Sequence, residues 1–231
     1  MSTEGIDMDI ETINSTIHFT SWTAWRMTKP SPKSKAPQDQ LSKMITKSQK
    51  NGAIFRGAYD LRGFRGDADL LLWIHGSTAD LVQDAIVSFS ETSVGSRFET
   101  TWSGMGLHRP AEFNRSHVPA FMTGNKPKKW LCMYPFVRSY DWYLLPERER
   151  RDMLVEHGKA GSKYPGILSS TVASFALGDY EWLLALESDE LFEIVDMMRD
   201  LRSTEARRHV REEVPFFTGR HIDATRIGEF F

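Results

Sequence analysis

Two periodicities run along this chain, and their order gives the first picture of the molecule. From Ile13 to Met27 apolar and polar residues alternate through Ile, Thr and Trp, the two-residue period of a strand. A helical stretch over about 38–50 stops at Asn51-Gly52, a helix-ending pair. Strands follow at about 53–61 and 68–75, then a helix at 78–90 and a strand at 98–108, in the order βαββαβ. The same order returns as a strand over 129–138, a helix over 146–157, strands over 168–177 and 180–187, a helix over 189–203 and a strand over 213–219. Residues 1–12 read as a loose acidic leader and 29–37, with three prolines and two serines, as a loop.

The repetition extends to sequence. Gly66-Asp67 opens an apolar strand ending near His75, and Gly178-Asp179 opens another ending near Glu187. Each leads through Ser, Thr or Asp cap residues into an amphipathic helix. A shared order of turn, strand, cap and helix predicts a duplicated α+β unit. The expected architecture is two ferredoxin-like units, 13–108 and 129–220, whose antiparallel sheets form a barrel-like core with helices outside. Between them 109–128 is irregular, with prolines at 110, 119 and 127; long connections of this kind are commonly functional.

Composition narrows the partners. With 29 Lys and Arg against 31 Asp and Glu, the net charge of -2 gives no drive toward nucleic acid or an anionic membrane. No apolar run reaches the length of a membrane span, and the polar, acidic start is unlike a secretory signal, so a cytoplasmic protein is expected. A single cysteine, Cys132, excludes an intrachain disulfide and a cysteine-cluster metal site. There is no HExxH, no paired-histidine motif and no phosphate-cradling glycine loop. His18 and His75 fall in predicted strands, His117 in the connection, and the basic run Arg207-Arg208-His209-Arg211 reads as a solvated helix end.

If the halves share a scaffold, chemistry should sit where they differ. Along 129–138 one face carries Leu131, Met133, Pro135 and Val137, and the other Trp130, Cys132, Tyr134, Phe136 and Arg138. The second face sets a phenol, aromatic walls and a guanidinium in a row, suited to a flat ligand bearing carboxylates, although the pattern alone favours a strand whose outer face covers core with aromatics. In the helix opened by Pro146, His157 shares a face with Met153 and Leu154 and precedes Gly158, where the helix is expected to stop. One imidazole beside a glycine suits axial ligation of a haem iron. A histidine at a helix C-terminus is also favoured by the dipole without any metal.

The run Lys128-Lys129-Trp130-Leu131-Cys132-Met133-Tyr134-Pro135-Phe136-Val137-Arg138-Ser139, followed by Glu156-His157-Gly158, resembles the chlorite dismutase-like family, and within it the coproheme decarboxylases of actinobacterial type. The resemblance runs from Thr16 to Gly219 and includes Arg-Ser-Thr-Glu-Ala-Arg-Arg ahead of Val-Pro-Phe-Phe-Thr-Gly. It implies peroxide-dependent conversion of iron-coproporphyrin III, through a three-propionate intermediate, to haem b. His157 would ligate the iron, Tyr134 would be the redox-active residue, and Tyr134, Pro135, Phe136, Val137 and Arg138 would line the porphyrin site. His117 matches a distal histidine that looks like a base for peroxide. Thirteen residues beyond His157, where chlorite dismutases carry arginine, stands Ser170, counted with the substrate-binding residues. The resemblance also implies a homopentamer and a transient contact with coproporphyrin ferrochelatase. A haem-binding or haem-transfer protein without turnover, and a chlorite dismutase or peroxidase, are the competing readings. Tyr134 with His117 favours the decarboxylase over the first, and Ser170 speaks against the second.

Overall fold

The computed structural model describes residues 9–29 and 35–231. Most of the expected leader and part of the 29–37 loop lie outside the described residues. The chain forms two compact units, one of Thr16–His108 with Phe217–Phe231, the other of Arg109–Phe216 with the segment up to Ser15.

In the first unit β1 (Phe19–Met27), α2 (Lys35–Lys50), β2 (Ile54–Asp60), β3 (Leu70–Gly76), α3 (Ala79–Glu91) and β4 (Phe98–Leu107) follow in the expected order; the short α1 (Ile10–Ser15) precedes them in the chain. The strands pair antiparallel as β4-β1-β3-β2, the arrangement of a ferredoxin-like sheet. Trp25, Ala58, Leu70 and Leu72 pack with Leu41 and Ile45 of α2 and Phe89 of α3 in one buried core. Thr78 caps α3, its hydroxyl accepting from the Leu81 amide at 3.3 Å.

The second unit repeats this with β5 (Trp130–Arg138), α4 (Glu147–Gly161), β6 (Leu168–Ala173), β7 (Trp182–Ser188), α5 (Leu191–Leu201) and β8 (Val210–Glu212). Its strands are ordered β6-β7-β5-β8, again antiparallel. The βαββαβ order therefore holds twice, and the α+β class with it.

Three boundaries differ from expectation. The strand expected from Ile13 begins at Phe19; Ile10–Ser15 is helical, with Asp9 accepting from the Thr12 amide and hydroxyl and Ile13 fully buried. Alternation cannot tell a short capped helix from a strand when only one side chain is buried. The strand expected over 213–219 is replaced by β8 and by β9 (Phe217–Ile222), which pairs antiparallel with β2 in the first unit. There an added Cβ on Gly219 would meet the Asp60 carbonyl oxygen at 2.8 Å, so close strand approach requires glycine. Finally, α4 does not stop at Gly158 but continues to Gly161, where the Ser162 amide returns to the Gly158 carbonyl. An interior glycine costs only about 1 kcal/mol relative to alanine, too little to end a helix by itself.

Candidate porphyrin site

The site lies within the second unit. Cross-strand pairing puts Cys132, Tyr134 and Phe136 opposite Leu186, Leu184 and Trp182, and this face meets Ile194 and Met197 of α5 in a buried cluster. Helix α4, in contrast, buries no residue at all, although Met153, Leu154 and His157 are half-buried. Tyr134, Arg138 and His157 line one cleft, together with Met198, Arg202, Arg207 and Glu213.

Tyr134 is nearly buried, stacked on Phe216 with ring centroids 4.5 Å apart, and its hydroxyl points to Met198 Sδ at 3.5 Å. Burial, reinforced by the Glu213 carboxylate, pushes the phenol well above its usual range, so it remains protonated. The Arg138 guanidinium lies 4.2 Å from the Trp142 ring centre and 5.2 Å from that of Phe136. Its backbone amide donates to Glu181 Oε2 at 2.8 Å, and Tyr143 donates to the same oxygen at 2.9 Å. Stacking between two rings fixes the plane of the fork and leaves its edge donors for an anion.

His157 Nδ1 lies 3.4 Å from the Thr204 hydroxyl oxygen, and that hydroxyl donates to the Leu201 carbonyl at 2.9 Å. With its proton committed to Leu201, Thr204 can only accept from Nδ1–H. The hydrogen-bond chain therefore selects one tautomer and leaves the Nε2 lone pair for a metal. Burial first, then Arg138 and His117, lowers the His157 pKa and favours the neutral ring a metal needs. Among the described residues no group of three or more His, Cys, Asp or Glu could hold an ion. A single imidazole therefore fits an iron that brings its other donors with it, as a porphyrin does. An added Cβ at Gly158 meets nothing within 4 Å, so the space beside His157 is open.

The remaining predicted residues divide. His117 lies close enough to lower the His157 pKa, and local crowding holds its own imidazole below the ordinary histidine range while its surface stays exposed. Pro135 and Val137 are buried on the face opposite Tyr134. Ser170 pairs with Ala185, itself opposite Met133, so it too lies on that other face. It is buried, and its hydroxyl accepts from the Phe121 amide at 3.4 Å. Its neighbour Thr171, paired with Leu184, shares the Tyr134 face. Thr204, Arg202 and Glu213 went unread in the sequence because no periodicity marks residues that reach a site through turns. Arg207 was legible as a charge, but as a solvated one.

A family model described as chlorite dismutase matches residues 34–222, so the chain belongs to the chlorite dismutase family. Within it, the chain is 45% identical over 224 residues to the coproheme decarboxylase of Mycolicibacterium smegmatis, covering 95% of this chain and 96% of that one. Among solved structures, a mutant chlorite dismutase from Candidatus Nitrospira defluvii superposes with a TM-score of 0.83 at 17% identity, covering 96% of this chain and 99% of that one. The same organism's chlorite dismutase in complex with imidazole gives 0.83 at 17% identity with the same coverage. At that identity the likeness establishes the fold.

Proposed function

We propose that this protein is a coproheme decarboxylase, which uses hydrogen peroxide to convert the propionates at positions 2 and 4 of iron-coproporphyrin III into vinyl groups, yielding haem b. The observation that carries the reading is the cleft beneath α4, where a tautomer-fixed histidine, a buried phenol and a stacked arginine converge. The relative of 45% identity, named for this activity, supports it. Each propionate loses its carboxylate as CO2 and one hydrogen, with two electrons, from the β-carbon: R–CH2–CH2–COO⁻ + H2O2 + H⁺ gives R–CH=CH2 + CO2 + 2 H2O. The iron porphyrin is the substrate and supplies the redox centre.

The chain's own residues supply position and protons. Neutral His157 holds the iron on one side. Arg138 pairs with a propionate and fixes it. Tyr134, protonated and shielded from water, gives up its hydroxyl hydrogen to the oxidant and in turn takes one from the propionate β-carbon. His117, neutral near pH 7 and in contact with solvent, moves a proton between the peroxide oxygens. Phe136 contributes an aromatic wall. Ser170, through the Phe121 amide, ties the connection that carries His117 to β6. Among the described residues no helix is long and apolar enough to cross a membrane. The same reading makes the protein a cytoplasmic homopentamer that takes its substrate from coproporphyrin ferrochelatase.

Titration of the purified protein with iron-coproporphyrin III and peroxide, followed by pigment masses, tests the proposal: stepwise loss of two carboxylates is expected, and an unchanged pigment would refute it. Chlorite should release negligible O2, because neither Ser170 nor Thr171 offers the positive charge that stabilises a departing hypochlorite-like fragment. Sustained O2 evolution would reassign the chain to chlorite chemistry.

A further inference from the structure

The cleft that Arg138 lines has a second cationic feature that the roles above leave unused. Arg202 follows the last residue of α5, and Arg207 lies in the tight turn Glu205–His209. Both reach Glu213, one residue beyond β8. Arg202 Nη1 donates to Glu213 Oε1 at 3.0 Å, and its Nη2 lies 2.7 Å from Oε2. Arg207 Nη1 donates to Oε2 at 2.5 Å. The carboxylate is the enclosed partner, its side chain 12% exposed, while the guanidinium side chains are 37% and 38% exposed. This cluster is in electrostatic range of Tyr134: after burial, Glu213 is the largest influence on the phenol.

Two guanidinium forks converging on one carboxylate form a carboxylate seat. The proposed substrate carries four carboxylates and the product two, and the group to be removed must lie near Tyr134. Building on the function proposed above, we infer that Arg202 and Arg207 seat the carboxylate that is to be lost, and that Glu213 is its internal substitute, displaced when substrate arrives and restored once CO2 has left. Exchanging one carboxylate for another conserves the charge-assisted hydrogen bonds, so neither arrival nor departure strands a charge in the cleft. Without the substitute, loss of CO2 would leave two guanidinium groups facing a newly formed vinyl group. Glu213 follows the last residue of β8, so its withdrawal does not require a ladder to open.

Equilibrium titrations without peroxide test this, using iron-coproporphyrin III and haem b as the two probes. Glu213→Gln leaves the seat without its competitor: the Kd for iron-coproporphyrin III should fall about tenfold while that for haem b changes by less than about threefold. Glu213→Asp should return the first value to within about threefold of wild type, which a merely buttressing role would not require. If Glu213→Gln binds iron-coproporphyrin III no more tightly, or changes both pigments alike, Glu213 only supports the arginines and the inference fails. Should that variant not fold, Arg207→Gln decides the matter. It should weaken iron-coproporphyrin III at least about tenfold more than haem b, and equal weakening overturns the seat. Pigment masses from wild type with peroxide keep the two ideas apart. Haem b formation with unaltered Glu213→Gln affinities removes the substitute and leaves the reaction standing. Altered affinities without haem b remove the reaction and leave the exchange.

Discussion

The two copies of the βαββαβ unit differ most in their first helix. In the first copy α2 sends Leu41 and Ile45, 0% and 3% exposed, into a core shared with β1, β2 and β3. In the second, α4 has the corresponding place in the order but buries nothing. Its sequence, Glu-Arg-Glu-Arg-Arg-Asp-Met-Leu-Val-Glu-His-Gly, is charged through the first turns and offers Met153, Leu154 and His157 only half-buried. In the same copy Tyr134, Phe136 and Leu186 are buried against Ile194 and Met197 of α5. One copy thus fills the space between first helix and sheet with side chains, while the first helix of the other sends none into a core. A duplicated scaffold makes this legible, because the filled copy shows what an ordinary core would look like in the same frame.

The sharpest break of the comparison is at His157. His157→Ala should abolish the histidine-ligated iron spectrum and reduce haem b formation by at least about a thousandfold, or roughly 4 kcal/mol of transition-state stabilisation. A wild-type iron–imidazole signature in the variant would show that α4 does not present the ligand.

The two helices should also differ in thermodynamics. Leu41→Ala removes a fully buried side chain and should destabilise the ligand-free protein by about 2–5 kcal/mol in denaturant unfolding. Leu154→Ala, on the half-buried helix, should change stability by less than about 1 kcal/mol. Equal losses would mean that α4 is packed like α2 and that no ligand space separates it from its sheet.

Tyr134→Phe probes the sheet side of the same space. The ring keeps its stacking on Phe216, so binding of iron-coproporphyrin III should hold within about threefold, while the yield of the first vinyl product drops at least about a hundredfold, roughly 2.7 kcal/mol. Normal yields would remove the phenol from the chemistry.

How far the sequence alone reached follows from the same contrast. Both βαββαβ orders, the shared face of Tyr134 and Phe136 and the half-buried face of His157 were readable, because periodicity reports which residues share a side. The exchange of β9 into the first unit was not, since Glu213–Gly219 reads as one strand although Pro215, inside the break at 213–216, cannot donate to a ladder. Thr204, which fixes the His157 tautomer, reaches it across 47 positions, and short-range patterns carry no information about such a contact. Arg207 was misjudged for a related reason, and Arg202 was not singled out at all. Charge runs are usually solvated, and only the fold shows that both converge on Glu213.

The smallest expected effect, at Gly158, separates what a helix wants from what a ligand wants. The residue lies inside α4, where alanine is favoured over glycine by about 1 kcal/mol, and an added Cβ meets nothing within 4 Å. Gly158→Ala should therefore stabilise the ligand-free protein, raising Tm by about 2–4 °C for a chain of this size. A glycine kept for close approach of the porphyrin beside His157 predicts the opposite for binding, with the Kd for iron-coproporphyrin III rising about tenfold. Calorimetry of the free protein and pigment titration measure the two separately. A rise in Tm with unchanged affinity would show that the open space at Gly158 is not where the macrocycle lies.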